Sequence, residues 1–221
     1  MKSLSASLKE LFEIQAGLDS EILQKYPVQA GENRLEKKHT ALLVELGEMM
    51  NEVRQFKFWS KDQKRRTEVN IECKICFGST DENYEMIQED AEGSGDHEYI
   101  PCESCNATGV ARVADRVLEE LVDVLHFALS IGLEHEFDEM LPLDIDPMIC
   151  YKGNINQVEY QFIDVIKADW NVYEEGGGGY YHEGLELFLG FCQILGYTWE
   201  QINAAYLEKN QINHRRLQSG Y

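Results

Sequence analysis

Four acids set beside apolar helical faces narrow the possible folds of this chain more than any other feature. Residues 40–53 read T-A-L-L-V-E-L-G-E-M-M-N-E-V, and Glu45, Glu48 and Glu52 recur at i, i+3 and i+7. At about 100° per residue they form one stripe, bordered by Leu42, Met49 and Phe56. Residues 119–129 read E-E-L-V-D-V-L-H-F-A-L, with Glu120 and Asp123 one turn apart. Val124, Phe127 and Ile131 project in nearly the same direction, so these acids fall on a face that should be buried. A solitary E-x-x-E on a helix is ordinary solvated surface. Two such pairs beside apolar faces are costly unless paired or metal-bound. A divalent cation turns their repulsion into binding, and magnesium prefers hard oxygen ligands shared with water and phosphate. Glu45, Glu48, Glu120 and Asp123 are therefore expected to meet across two antiparallel helices.

The remaining apolar pattern is also helical. Leu4, Leu8, Leu11, Leu18 and Ile22 predict a helix over 3–26, ended by Pro27. Further helices are expected over 34–59, 113–136, 155–173, 184–196 and 198–218, with Asn154 and Thr198 as N-caps. Pro142 and Pro147 mark 137–153 as a connection. The run E-E-G-G-G-G-Y-Y-H at 174–182 reads as a flexible break. Gly176–Gly179 lacks the Lys-Ser/Thr that completes a phosphate loop and follows no strand, so a hinge or lid tip is expected there. The fold class is all-α, a helical bundle in two sequence parts, 1–67 and 113–221.

Residues 68–112 interrupt that bundle. Cys73-Lys-Ile-Cys76 and Cys102-Glu-Ser-Cys105 are two C-x-x-C pairs with 25 residues between them, and Gly78 and Gly109 follow the respective pairs. Small residues after such a knuckle let backbone amides turn toward thiolates. Four sulfurs at this spacing predict one tetrahedral structural zinc in a small zinc-ribbon insert. A filled coordination shell leaves no open position for catalysis. The local pattern resembles the zinc modules of DnaJ-type chaperones, a likeness confined to the insert. Asp81, Glu82, Glu85, Glu89, Asp90, Glu92, Asp96 and Glu98 lie between the knuckles, with no Lys or Arg among them. These acids are expected to face solvent. They oppose phosphate binding by the ribbon and favour a structural or protein-contact role. Cys150 and Cys192 lack partners of this kind and are expected as small buried hydrophobes.

Forty Asp and Glu against twenty Lys and Arg give a net charge of −20. That balance disfavours nucleic acid and anionic membranes as partners. An anionic substrate would have to be met through cations. Residues 1–15 carry no apolar signal region, and no run approaches the roughly 18 apolar residues of a membrane span, so a cytoplasmic protein is expected. Lys209, Asn213 and Arg216 fall at i, i+4 and i+7 on one helical face. They suit either a solvated basic helix end or a site for phosphate oxygens and sugar hydroxyls. His126 falls near Glu119 at a helix edge, where a structural role is expected.

At the two acid motifs the sequence resembles the all-α NTP pyrophosphatases (MazG-like), marked by E-x-x-E on one helix and E-x-x-D on the next. It is similar in particular to the dimeric dUTPase branch. The stretches that carry this are A-L-L-V-E-L-G-E-M-M-N-E-V-R-Q-F-K-F-W-S, E-E-L-V-D-V-L-H-F and Y-L-E-K-N-Q-I-N-H-R-R-L-Q-S-G-Y. The resemblance implies a hydrolase that converts dUTP, and often dUDP, to dUMP with release of pyrophosphate or phosphate. It implies two or more Mg2+ per active site on Glu45, Glu48, Glu120 and Asp123, with Glu45 orienting or deprotonating the attacking water. It further implies substrate contacts from Lys209, Asn213, Arg216 and Tyr221, and a homodimer. Gln15 and Asp19 resemble a Q-x-x-L-N pair that reads uracil, with Asp where the pattern has Asn. Trp59 is placed to pack on the base or sugar, or in the core. Two other readings remain open at this point. One is a house-cleaning pyrophosphatase for dCTP or modified nucleotides, suggested by Asp19. The other is an inactive binding or regulatory protein that uses the zinc ribbon as its contact surface.

Overall fold

Side-chain caps and buried stripes account for where the helices begin and which faces they hide. The computed structural model describes residues 3–83, 98–140, 145–170 and 179–220. Two units are compact in their own contacts, Met1–Lys64 with Val117–Tyr221, and Arg65–Arg116.

The first unit holds six α-helices among the described residues. In α1 (Leu4–Lys25), Ser3 accepts from the Ala6 N–H, and Leu8, Leu11, Phe12, Gln15 and Leu18 form the buried stripe. In α2 (Arg34–Val53), Asn33 caps the Glu36 N–H, and Leu42, Leu46, Met49, Met50 and Val53 are buried. The central helix is α3 (Arg116–Glu134), where Val117, Leu121, Val122, Val124, Leu125, Ala128, Leu129 and Ile131 are at most 1% exposed. A helix this apolar around its circumference must sit inside other helices. It is followed by α4 (Gln157–Lys167), α5 (Gly179–Ile194) and α6 (Trp199–Ser219), with α1 packed on α6 and α4 on α5. Thr198 and Gln201 form a reciprocal capping box at the start of α6.

Three helices differ most from expectation at their ends. α2 stops at Val53 rather than Trp59, because Arg54 turns left-handed (φ 65°) while its N–H still closes on Met50. Its guanidinium then bonds the Asp62 carbonyl at 2.9 and 3.1 Å and pairs with the Asp62 carboxylate at 3.1 Å. The chain is thereby tied into turns after α2. α4 is shorter than 155–173; it is capped at Asn156, and Asn154 instead accepts from the Asn156 N–H. Residues 171–173 lie outside the described part. α5 begins at Gly179, inside the expected break, and Gly176–Gly178 lie outside the described residues. The reason for the early start is Tyr181, wholly buried against Phe137 and Trp170 with its hydroxyl donating to the Ala128 carbonyl at 2.7 Å.

Close backbone packing supports the same core. A Cβ on Gly190 would lie 1.9 Å from the Met148 carbonyl oxygen, so the 145–150 segment runs directly over α5. Gln161, fully buried, fastens that segment: it accepts from the Cys150 N–H and donates to the Met148 and Leu187 carbonyls. Cys192 is buried as expected, whereas Cys150 is only half-buried.

The second unit is a two-stranded antiparallel sheet, β1 (Val69–Glu72) and β2 (Val110–Ala114), carrying the two cysteine turns. Gly78 and Gly109 both have positive φ, and a Cβ on Gly109 would come within 2.6 Å of the Gly78 carbonyl oxygen. Glycine is needed where the two turns meet. One expectation fails here. Asp81 does not face solvent; it is 3% exposed and accepts from the Asn83 and Ile100 N–H groups. Glu85, Glu89, Asp90, Glu92 and Asp96 lie outside the described residues.

Candidate active site and cysteine cluster

Helical spacing puts Glu120 and Asp123 on the flank of α3, one turn apart, and Glu45 on the flank of α2. The fold brings one carboxylate oxygen from each of these three within 4.8 Å of the others. Glu48 lies outside that cluster and is exposed, but its charge still reaches Glu45. Burial raises the Glu45 carboxyl to about 7, and Asp123, Glu48 and Glu120 add to the rise while Lys209 opposes it. Burial also raises Asp123, against the Lys209 ammonium, which donates to Asp123 Oδ2 at 2.5 Å, and against the more distant charge of Arg216. Half-buried carboxylates crowded this closely need a positive charge. Lys209 supplies one, and the three oxygens are the hard donor set that a divalent cation takes.

Glu45, Asp123 and Lys209 line a cavity of about 810 Å³ in the first unit; Glu48 and Glu120 are not among its lining residues. Lys209, Asn213 and Arg216 all border it from α6, as their i, i+4, i+7 spacing anticipated. Gln15 and Asp19 border it from α1. Trp59 does not: it is 67% exposed in the turns after α2, set edge-on to Phe58 at 5.0 Å, and is not among the cavity residues. Tyr221 lies outside the described residues.

Sequence reasoning missed part of the lining. His126 is not at a helix edge; it is 6% exposed and stacks on Tyr206 with ring centroids 4.2 Å apart. Burial, reinforced by Lys209, holds its pKa down to about 3, so the ring is neutral. Lys38 and Ser130 also border the cavity, and both bond Asp19. The signal for these residues was present in the helical period: Lys38 lies seven before Glu45, Ser130 seven after Asp123, and Tyr206 three before Lys209.

In the second unit, Cys73, Cys76, Cys102 and Cys105 are all buried, with their sulfurs within 4.8 Å of one another. The Cys73–Cys102 and Cys76–Cys105 sulfurs are 3.9 and 3.7 Å apart, and the thiols are free. A tetrahedron with metal–sulfur bonds of about 2.3 Å has edges of about 3.8 Å, so the cluster fits zinc. Backbone N–H groups of Cys76 and Ile75 hold the Cys73 thiol down to about 6, as a thiolate ligand requires. Burial pushes Cys102 up to about 12. Such crowding of sulfurs favours one shared cation over four independent thiols.

The helical scaffold thus gathers carboxylates, an ammonium and amide groups around one cavity. A family model described as dUTPase matches residues 7–75 and 109–221. The chain belongs to this all-α dUTPase-like family and is a dUTP diphosphatase-like enzyme. The match leaves out 76–108, and with it three of the four clustered cysteines. No curated protein matches the chain.

Proposed function

We propose that the chain is a magnesium-dependent diphosphohydrolase that converts dUTP, and dUDP, to dUMP with release of pyrophosphate or phosphate. The observation that carries this reading is the Glu45–Glu120–Asp123 cluster, two of whose members, Glu45 and Asp123, line the same cavity as Lys209, Asn213 and Arg216. When bound, Mg2+ would neutralise the phosphate chain and acidify a water. The chain's own residues divide the remaining work. Glu45, Glu48, Glu120 and Asp123 hold the ions. Glu45 also orients the water and takes its proton, a role suited to a carboxyl whose pKa is raised toward neutrality. Lys209 and Arg216 pair with phosphate oxygens and Asn213 with a sugar hydroxyl. The four clustered cysteines hold one structural zinc.

A homodimer is the proposed assembly. Its support is apolar surface left exposed on the first unit, Leu43 and Val44 on α2 and Ile163 and Ile166 on α4, with Leu43 and Ile166 bordering one shallow pocket. No described helix is long and apolar enough to cross a membrane. A cytoplasmic setting is proposed because every cysteine is a free thiol.

The test is a panel of deoxynucleoside triphosphates with and without magnesium, read by pyrophosphate release. Turnover of dUTP that requires magnesium is expected. Equal or better turnover of dCTP would reassign the substrate, and no hydrolysis of any nucleotide would defeat the reading.

A further inference from the structure

Cys73, Cys76, Cys102 and Cys105 make up the whole buried apolar cluster of the second unit among its described residues. A small unit with so little apolar core is held together by whatever joins its sulfurs. The sulfur contacts run between the two C-x-x-C turns. Cys73 Sγ lies 3.9 Å from Cys102 Sγ, and Cys76 Sγ lies 3.7 Å from Cys105 Sγ. The backbone repeats this pattern. The Cys73 N–H donates to the Gly109 carbonyl and the Cys102 N–H to the Thr80 carbonyl, both at 2.9 Å. The first cysteine of each turn is thus fastened to the chain leaving the other turn, which keeps the facing sulfurs in register.

Exposure within the cluster is uneven. Cys105 is 6% exposed, and the other three are at most 1% exposed. A small oxidant arriving from solvent therefore meets Cys105 first, and Cys76 is the sulfur that faces it. A disulfide holds its sulfurs at about 2.05 Å, so this pair has less than about 2 Å to close.

We propose that the cysteine cluster is a peroxide-sensitive modification site, at which oxidation releases the metal and replaces it with two disulfides that cross between the turns, Cys76–Cys105 first and Cys73–Cys102 second. This rests on the reading of the cluster as a zinc site and goes beyond it. The Cys105 thiolate attacks one oxygen of hydrogen peroxide. The O–O bond breaks, the sulfur becomes a sulfenic acid, and the other oxygen leaves as hydroxide and is protonated to water. The Cys76 thiolate then attacks the sulfenic sulfur, the S–S bond forms, and a second hydroxide leaves and is protonated. Two thiolates, one peroxide and two protons thus give one disulfide and two waters, with two electrons passing from sulfur to oxygen. With half of its ligands gone the zinc is no longer held. Cys73 and Cys102 then react with a second peroxide in the same way. Because both new bonds join one turn to the other, the second unit stays closed without metal. Disulfides formed inside each C-x-x-C turn would add no bond between the turns.

The experiment takes the full chain purified under reducing conditions, removes the reductant and adds hydrogen peroxide. Zinc release is read with a chromogenic chelator, remaining thiols are blocked with N-ethylmaleimide, and the disulfides are mapped by mass spectrometry. About one zinc is expected to leave for about two peroxides consumed, with Cys76–Cys105 mapped before Cys73–Cys102. A glutamate-specific protease should cut the oxidised chain within 65–116 about tenfold more slowly than a chain stripped of zinc and kept reduced. Disulfides inside the C-x-x-C turns, over-oxidation of Cys105 without a cross-link, equal cleavage of the two chains, or zinc retained while the half-buried Cys150 is oxidised overturns this proposal alone. A purified chain without zinc overturns the zinc reading and the proposal with it.

Discussion

Glu45 is the residue at which folding and the proposed chemistry pull in opposite directions. Burial and three neighbouring acids raise its carboxyl from the ordinary 4.5 to about 7. The folded state thus binds this proton more tightly than the unfolded chain. Its contribution to stability is complete below about pH 4.5 and is lost as the pH rises through about 7. Glu45→Gln cannot ionise, so without magnesium it should melt at a higher temperature than the wild type at pH 8 and at nearly the same temperature at pH 5. Calorimetry at the two pH values checks this, and an equal effect at both would remove the electrostatic account. The same substitution should lower dUTP turnover by about a hundredfold or more. Magnesium must also displace the raised proton, so its affinity should fall as the pH drops from 8 to 6, read by isothermal titration. Spacing alone put Glu120 and Asp123 on one face of α3 and Glu45 on a stripe of α2, because one helical turn fixes which side chains share a face. It did not show that Glu48 stands outside the three-carboxylate cluster, because how far two helices overlap is set by packing.

Among the elements, α6 carries Lys209 and Arg216 of the cavity lining, and α5 contributes Tyr181, Leu185 and Phe188 to the core. Thr198→Ala removes the side-chain half of the capping box and should cost about 1 kcal/mol in urea unfolding. If the midpoint does not move, the cap contributes nothing. Gly190→Ala places a methyl into the Met148 carbonyl, which belongs to backbone and cannot swing away, so a loss toward the upper end of about 1–3 kcal/mol is expected. A stable Gly190→Ala protein would show that the 145–150 segment can lift from α5. Helix identity was legible in the sequence, because apolar period is a local property. Two of the boundaries that differed were set by partners outside the helix. Asp62 captures Arg54 after α2, and Phe137, Trp170 and the Ala128 carbonyl draw Tyr181 into α5.

At the scale of the whole molecule, the family match covers the helical scaffold and passes over 76–108, so the rest of the cysteine unit is an addition to it. Purified protein should carry about one zinc per chain, measured by elemental analysis. Cys76→Ser, which removes one ligand from a buried cluster, should lose the metal and the β1–β2 pairing; retention of both would dismiss the zinc reading. The net charge of −20 also divides by environment. Asp81 is a buried acceptor of backbone N–H groups, and Asp19 is neutralised by Lys38. The amino-acid sequence by itself determined the helical class, the acid stripes and the two cysteine pairs, since each depends on spacing within a few residues. Only the tertiary structure decided that Gln15 of α1 meets His126 of α3 and Tyr206 of α6, pairs 111 and 191 residues apart. The physical reason is that a helical period fixes which side of a helix a residue occupies, while the partner across the cavity is chosen by how the helices pack.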